Sequence, residues 1–322
     1  PLAAPLLVGS PVLTQVYVAP KERRIARLRS EAVGSFLKLR RCLRERRYDV
    51  ALDLQGLTKS AVLAAASGAR VRLGYSWLRE LAPLLERRIP RRPESLHIVD
   101  QLLDVARNLG AEPSEVQFPL GINAEDDESA MARLRSAGID PRRPFAVLNP
   151  TDGGGGGDKG LLPEVMAGVI EAVSQRVSVP WVLVGSAGDR PRAEQVIAKT
   201  TLPVHSIVGQ TSVRELASVI RMARVHVSGD SGSAHIAAAV GTPPVTVYGR
   251  SNPVRVGPYG YARFVVDARR YCSDRCRRYH ERSEINSPAV CVDDRAICMS
   301  RVTAEDVAPV VLRALEEALA GA

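Results

Sequence analysis

Between residues 145 and 248 the chain keeps returning to one pattern: a short apolar run, a polar or glycine-rich turn, then a stretch of helical composition. The runs are Phe145-Ala146-Val147-Leu148, 181–184, 204–208, 225–228 and 245–248. The intervening segments read as helices from near Pro163, over about 190–199 and 212–222, and from Ser231. Pro163 suits a first helical turn, where its missing N–H costs nothing. Apolar runs too short for helices, joined by single helices, fold as a parallel sheet with right-handed crossovers. The first half is less regular. Residues 48–54 read as a strand that stops at Gln55-Gly56, 58–67 as a helix, 71–74 as a strand and 97–109 as a helix. Residues 121–143 carry an acidic cluster followed by Gly138 and Pro141, which predicts a linker. The expected fold class is α/β, with two Rossmann-like domains, 1–143 and 144–322, whose parallel sheets face a cleft. A length of 322 residues fits two domains.

Charge is concentrated in one place. Residues 21–47 hold eleven Lys and Arg against three Glu, so this segment supplies most of the formal +9. Such a patch is either a solvated helix face or a surface for an acidic partner. Nucleic acid is disfavoured, because Phe36 and Tyr48 are the only aromatic residues between 21 and 48 and offer no stacking platform. No apolar stretch is long enough to cross a membrane as a helix. Lysine is rare, at positions 21, 38, 59, 159 and 199, which draws attention to the two that fall inside motifs.

Two segments carry chemistry. Gly229-Asp230-Ser231-Gly232-Ser233-Ala234-His235 follows the run 225–228 and opens a helix. Free N–H groups at such a start, with the helix dipole, suit a phosphate; the competing reading is that Asp230 or Ser231 merely caps the helix. Thr151-Asp152, five glycines, Asp158 and Lys159 follow the run 145–148 at the same end of the sheet. That loop either clamps a diphosphate through Lys159 or is solvated; it is not a Walker pattern. Cys272, Cys276, Cys291 and Cys298 could form a four-thiolate zinc site or remain free thiols, although the C-x2-C spacing typical of such sites is absent, and Cys42 stands apart.

Taken together these segments resemble glycosyltransferase family 9, the ADP-heptose:lipopolysaccharide heptosyltransferases, with a type I character. Residues 48–60, ending Asp53-Leu54-Gln55-Gly56-Leu57-Thr58-Lys59-Ser60, resemble the family's Tyr-Asp…Asp-x-Gln-Gly-Leu segment, and Trp77-Leu78-Arg79-Glu80 the Trp and Arg-Glu that follow it. Residues 230–243, from Asp230-Ser231-Gly232 through His235 to Gly241-Thr242-Pro243, resemble its C-terminal signature. The resemblance implies a GT-B architecture and an inverting, metal-independent transfer of heptose, or a related sugar, from an ADP-sugar to the lipopolysaccharide inner core. It implies a donor site of Thr151, Lys159, Asp189, Asp230, Ser231, Gly232 and His235. It also implies an acceptor side of Arg23, Arg24, Lys59 and Arg79 facing an acidic glycolipid at the inner membrane surface, in the cytoplasm. No cofactor or metal is expected, and nucleic acid is not.

The sequence departs from the family in three places. The family opens with a strand, a Gly-Asp loop bearing the proposed general base, a helix and a second strand; here that base is expected upstream of Pro1, and no residue of the chain is assigned to it. Little turnover is therefore expected of this stretch by itself. Residues 153–157 are all glycine, and Leu161 stands where Trp is frequent. The alternative from a different class is a non-catalytic nucleotide- or polyanion-binding protein using the basic 21–47 segment.

Overall fold

The computed structural model describes residues 3–19, 29–112, 115–151, 159–274, 276 and 297–320. The chain divides into two units: Thr14–Gln117 with Pro1–Ala4, and Phe118–Ala322 with Pro5–Leu13.

The second unit is built on strands whose every residue is buried except in two edge strands. β4 (Ala146–Leu148), β5 (Trp181–Leu183), β7 (Val225–Gly229) and β8 (Pro244–Tyr248) are buried throughout; β6 (Val204–Ser206) and β9 (Val265–Asp267) are half-buried. All six are parallel, in the order β6-β5-β4-β7-β8-β9. That is the doubly wound order, in which the chain reverses direction between β4 and β7. Strand alternation feeds two cores. On one face Ala146, Leu148, Val225, Val227, Val245 and Val247 pack with helices α5 (Pro163–Ser174), α6 (Arg190–Lys199) and α9 (Ala304–Ala320). On the other, Val147, Val182 and Ile207 pack with α4 (Ala124–Ser136), α7 (Val213–Met222) and α8 (Gly232–Val240).

The boundary at 143/144 moves to 117/118, and residues 121–143 are not a linker. Asn123 Oδ1 accepts from the Asp126 amide at 3.0 Å while Asp126 returns a bond to the Asn123 amide, a reciprocal cap that starts α4. Ala130, Leu134 and Ile139 then enter the core beside Phe145 and Val182. Residues 5–13 run against the start of the same unit: Gly121 N donates to Leu6 O at 2.7 Å and Ser10 Oγ to Pro119 O at 2.7 Å.

The first unit has, among the described residues, three parallel strands in the order β1 (Val50–Asp53), β2 (Val71–Gly74) and β3 (Arg87–Arg88). β3 escapes sequence reading because both its residues are exposed arginines. Helices α1 (Arg29–Glu45), α2 (Thr58–Ala66) and α3 (Ile98–Arg107) complete it. Its cores are small: Leu73, Tyr75, Ile89 and Val105 in one, Ala61, Leu78 and Ala82 in another. No helix among the described residues is long and apolar enough to cross a membrane.

Candidate functional site

Lys159 and Asp230 lie just beyond the carboxyl ends of β4 and β7, the two strands flanking the topological switch point. Ligands of doubly wound sheets bind in the crevice formed there. The approach is close by construction. A Cβ on Gly229, the last residue of β7, would sit 2.1 Å from the Lys159 carbonyl oxygen, so only glycine fits. Lys159 Nζ reaches Asp230 Oδ2 at 2.6 Å, and Ser251 Oγ donates to the same oxygen at 2.6 Å. Lys159 keeps 39% of its side chain exposed against 14% for Asp230. Tyr248, beneath, is held well above the usual phenol pKa by burial and by the Asp230 carboxylate. It stays a neutral donor, to Val256 O at 3.2 Å.

Ser231 is the N-cap residue of α8, yet its side chain makes no capping bond. The capping reading therefore fails for Ser231; Ala234 N donates to Ser231 O at 3.2 Å, and the amides of Gly232 and Ser233 are left for another acceptor. The hydroxyl joins a buried chain instead. Ser233 Oγ receives Asn149 Nδ2 at 2.8 Å and lies 3.0 Å from His226 Nε2 and 2.9 Å from Ser231 Oγ. His226 is fully buried, and that burial lowers its pKa to about 3, so the ring is neutral. Its Nδ1 meets no partner. A buried lone pair tolerates that better than a buried N–H, which assigns the proton to Nε2 and the bond to Ser233. Ser233 then donates to Ser231. The Ser231 hydrogen remains for Ser228 Oγ, 3.0 Å away, or for an anion in front of the helix.

The other donor-side candidates are placed as follows. Thr151 N donates to Asn149 Oδ1 at 3.0 Å; Asp152 and Asp158 lie outside the described residues. Gly232 and His235 are exposed on the first turn of α8. Asp189 stands at the same end of the sheet, but its Oδ2 accepts both the amide and the hydroxyl of Ser186 at 2.7 Å each. Cys272, Cys276 and Cys298 are buried in the core, and Cys291 lies outside the described residues. Among the described residues no group of His, Cys, Asp or Glu has the arrangement of a metal site.

In the first unit the turn after β1 brings Lys59 and Arg79 to one end of α2. Gly56, with φ +72°, leaves no room for a Cβ, which would lie 2.6 Å from Trp77 O. Its own carbonyl accepts the Arg79 amide at 2.9 Å. Arg79 is exposed and stacks on the Trp77 ring at 4.7 Å, and Glu80 Oε2 accepts the Thr58 amide at 3.2 Å. Lys59 is exposed on the first turn of the helix. Arg23 and Arg24 lie outside the described residues. Sequence reading missed Asn149, His226, Ser228, Ser233 and Ser251. Asn149 and Ser251 carried the one available signal, since each follows the end of a buried strand.

The family model for glycosyltransferase family 9 (heptosyltransferase) matches residues 36–285. The chain belongs to this family. It is 27% identical over 235 residues, 69% of its length, to the lipopolysaccharide core heptosyltransferase OpsX of Haemophilus influenzae, of which it spans 63%. Among solved structures it resembles the family 9 glycosyl transferase of Veillonella parvula, with a TM-score of 0.66, 18% identity, and coverage of 88% of this chain and 79% of that one. It also resembles the E. coli heptosyltransferase WaaC with ADP: TM-score 0.60, 23% identity, 93% and 83% covered. The fold is GT-B, as the motifs implied. The family membership rests on the stretch that contains Lys59, Arg79, Lys159 and residues 230–243.

Proposed function

We propose that the chain transfers heptose, or a related sugar, from an ADP-sugar to the inner core of lipopolysaccharide. One observation carries the reading: a helix start without a side-chain cap at the switch point of the second unit, with a partly exposed lysine beside it. The names of the relatives support the sugar and the acceptor, and a related enzyme that accommodates ADP supports the donor. In this reading Lys159 and the first amides of α8 hold the diphosphate, with Ser231 and Gly232 against it and Asp230 orienting the lysine. His235 and Thr151 close the pocket, and Asp189 is the candidate for the ribose.

Such groups stabilise the charge that develops when the bond between the anomeric carbon and the β-phosphate oxygen breaks. The acceptor hydroxyl attacks from the opposite face, which inverts the configuration. Its proton passes to a base that we assign to no residue of this chain. No metal is needed for the charge, since a lysine and backbone dipoles supply it.

On the acceptor side, Lys59 and Arg79 contact the acidic glycolipid, with Arg23 and Arg24 contributing from the basic segment. Half-buried Arg40 and exposed Arg41, Arg44 and Arg47 line a concavity of about 530 Å³ along α1 and the turn after it, with Leu37 and Glu45, which supports an acidic partner at the cytoplasmic membrane surface. The test is transfer from ADP-heptose to a heptose-deficient core glycolipid by the protein. Product is expected; its absence with this and other nucleotide sugars overturns the reading.

A further inference from the structure

Away from the donor site, the first unit places two carboxyl groups where water does not reach. Asp53, ending β1, is 4% exposed, and Glu86, just before β3, is 6% exposed. Asp53 is well supplied with donors. Its Oδ1 accepts the amides of Gln55 and Gly56 at 2.8 and 3.0 Å, and its Oδ2 accepts the Ser60 hydroxyl at 2.7 Å. Glu86 is the reverse: neither carboxyl oxygen receives a hydrogen bond. Glu86 Oε2 lies over the end of β2, where a Cβ on Gly74 would approach it to 3.0 Å, and Gly74 is the strand partner of Asp53. Paired residues of a parallel sheet turn their side chains to the same face, so Glu86 Oε2, lying over Gly74, and the Asp53 carboxyl share one face of β1 and β2.

The groups around Glu86 explain what it must do. Asp53 faces it from β1 and Arg72 from β2, and Asp53 in turn holds Ser60 of α2. The Arg72 guanidinium is committed elsewhere, donating to Leu85 O at 2.9 Å and Ala69 O at 3.1 Å. Two ionised carboxylates cannot bond to each other, whereas one proton between them removes a buried charge and makes a charge-assisted bond. We propose that Glu86 stays a carboxylic acid on the acid side of neutrality, well beyond the range of an ordinary carboxylate, that it donates its proton to Asp53, and that this proton holds the turn of residues 54–60 that presents Lys59. Glu86 is thus a positioning residue, acting through Asp53.

Burial first, and then the Asp53 charge, push Glu86 up to about 7, with Arg72 pulling the other way. The folded pKa lies above the ordinary 4.5. The stabilisation is therefore complete below that ordinary value and is lost as pH rises through about 7. The proton sharing rests on the burial of both carboxyls, the absence of a donor to Glu86 and their common face of the sheet; its consequence for Lys59 rests on the acceptor-side reading above.

Glu86→Gln separates the possibilities, because the amide donates an N–H to Asp53 and cannot ionise. Melting midpoints of the whole chain are compared with wild type from about pH 4 to about pH 8.5. The two are expected to agree at the acid end, with the variant higher by about 5 °C at the alkaline end. A gap that stays constant with pH overturns the proposal. The carboxyl ¹³C titration of Glu86 in the wild-type chain gives a second reading that needs no variant: a midpoint near 7 is expected, and an ordinary carboxylate midpoint overturns it. In the transfer assay, kcat/KM for the glycolipid should fall on the alkaline side in wild type and stay flat in Glu86→Gln. A flat wild-type profile beside an intact melting gap overturns the link to Lys59 and leaves the shared proton standing.

Discussion

The two sheets are made of the same kind of unit and differ in what covers them. In the second, β7 and β8 are buried along all five residues each, between two cores. In the first, β1 alternates without a buried residue until Asp53, and Val50 and Leu52 are 36% and 43% exposed. The lesson concerns how each side presents charge. The second unit holds Lys159 and Ser231 with strand ends and a buried hydroxyl chain. The first holds Lys59 and Arg79 with a turn whose geometry depends on Asp53, Gly56 and the Glu86 proton.

Glycine substitutions give the largest contrast. Gly229→Ala drives a Cβ into the Lys159 backbone, within a densely packed unit, and is expected to cost about 3 kcal/mol in urea unfolding. Gly56→Ala meets Trp77 O and an unfavourable φ of +72°, but the turn around it is exposed and can give, so about 2 kcal/mol is expected. Equal costs would erase the distinction between the units. Amide exchange comes next: the amides of β7 and β8 should exchange only through global opening, while those of β1 exchange through local opening at least about tenfold faster. Matching protection would mean that β1 is covered as well as β7. The smallest effect is the most specific. Ser228→Ala removes the inward acceptor that competes for the Ser231 hydrogen, so ADP should bind about twofold to threefold more tightly, with adenosine unchanged. Weaker ADP binding would contradict the direction assigned to the hydroxyl chain.

Much of this was legible from residues alone. Runs such as Val225-His226-Val227 and Pro244–Tyr248 announce themselves because buried parallel strands are apolar from end to end. The Gly229–His235 segment declared a helix start because small polar residues between a strand and a helix have few other uses. What escaped was non-local or nearly silent. Asn149 and Ser233 are 84 residues apart, and nothing local says that they meet. β3 is two exposed arginines paired to β2, with no apolar signal. The helix at Ala124–Ser136 was hidden by its acidic first turn, which reads as a linker until the Asn123–Asp126 cap is recognised. Glu86 gives no local signal of burial, since its carboxyl lies against Gly74 of the neighbouring strand.

The central claim is that the second unit binds a nucleoside diphosphate at its switch point through Lys159 and the start of α8. Calorimetric titration of ADP into the wild-type chain and into Lys159→Ala tests it most directly. Removing one charge-assisted contact of this kind should weaken ADP by about tenfold to a hundredfold, with adenosine unaffected. Equal ADP affinity in the two proteins, or no ADP binding by wild type, would contradict it.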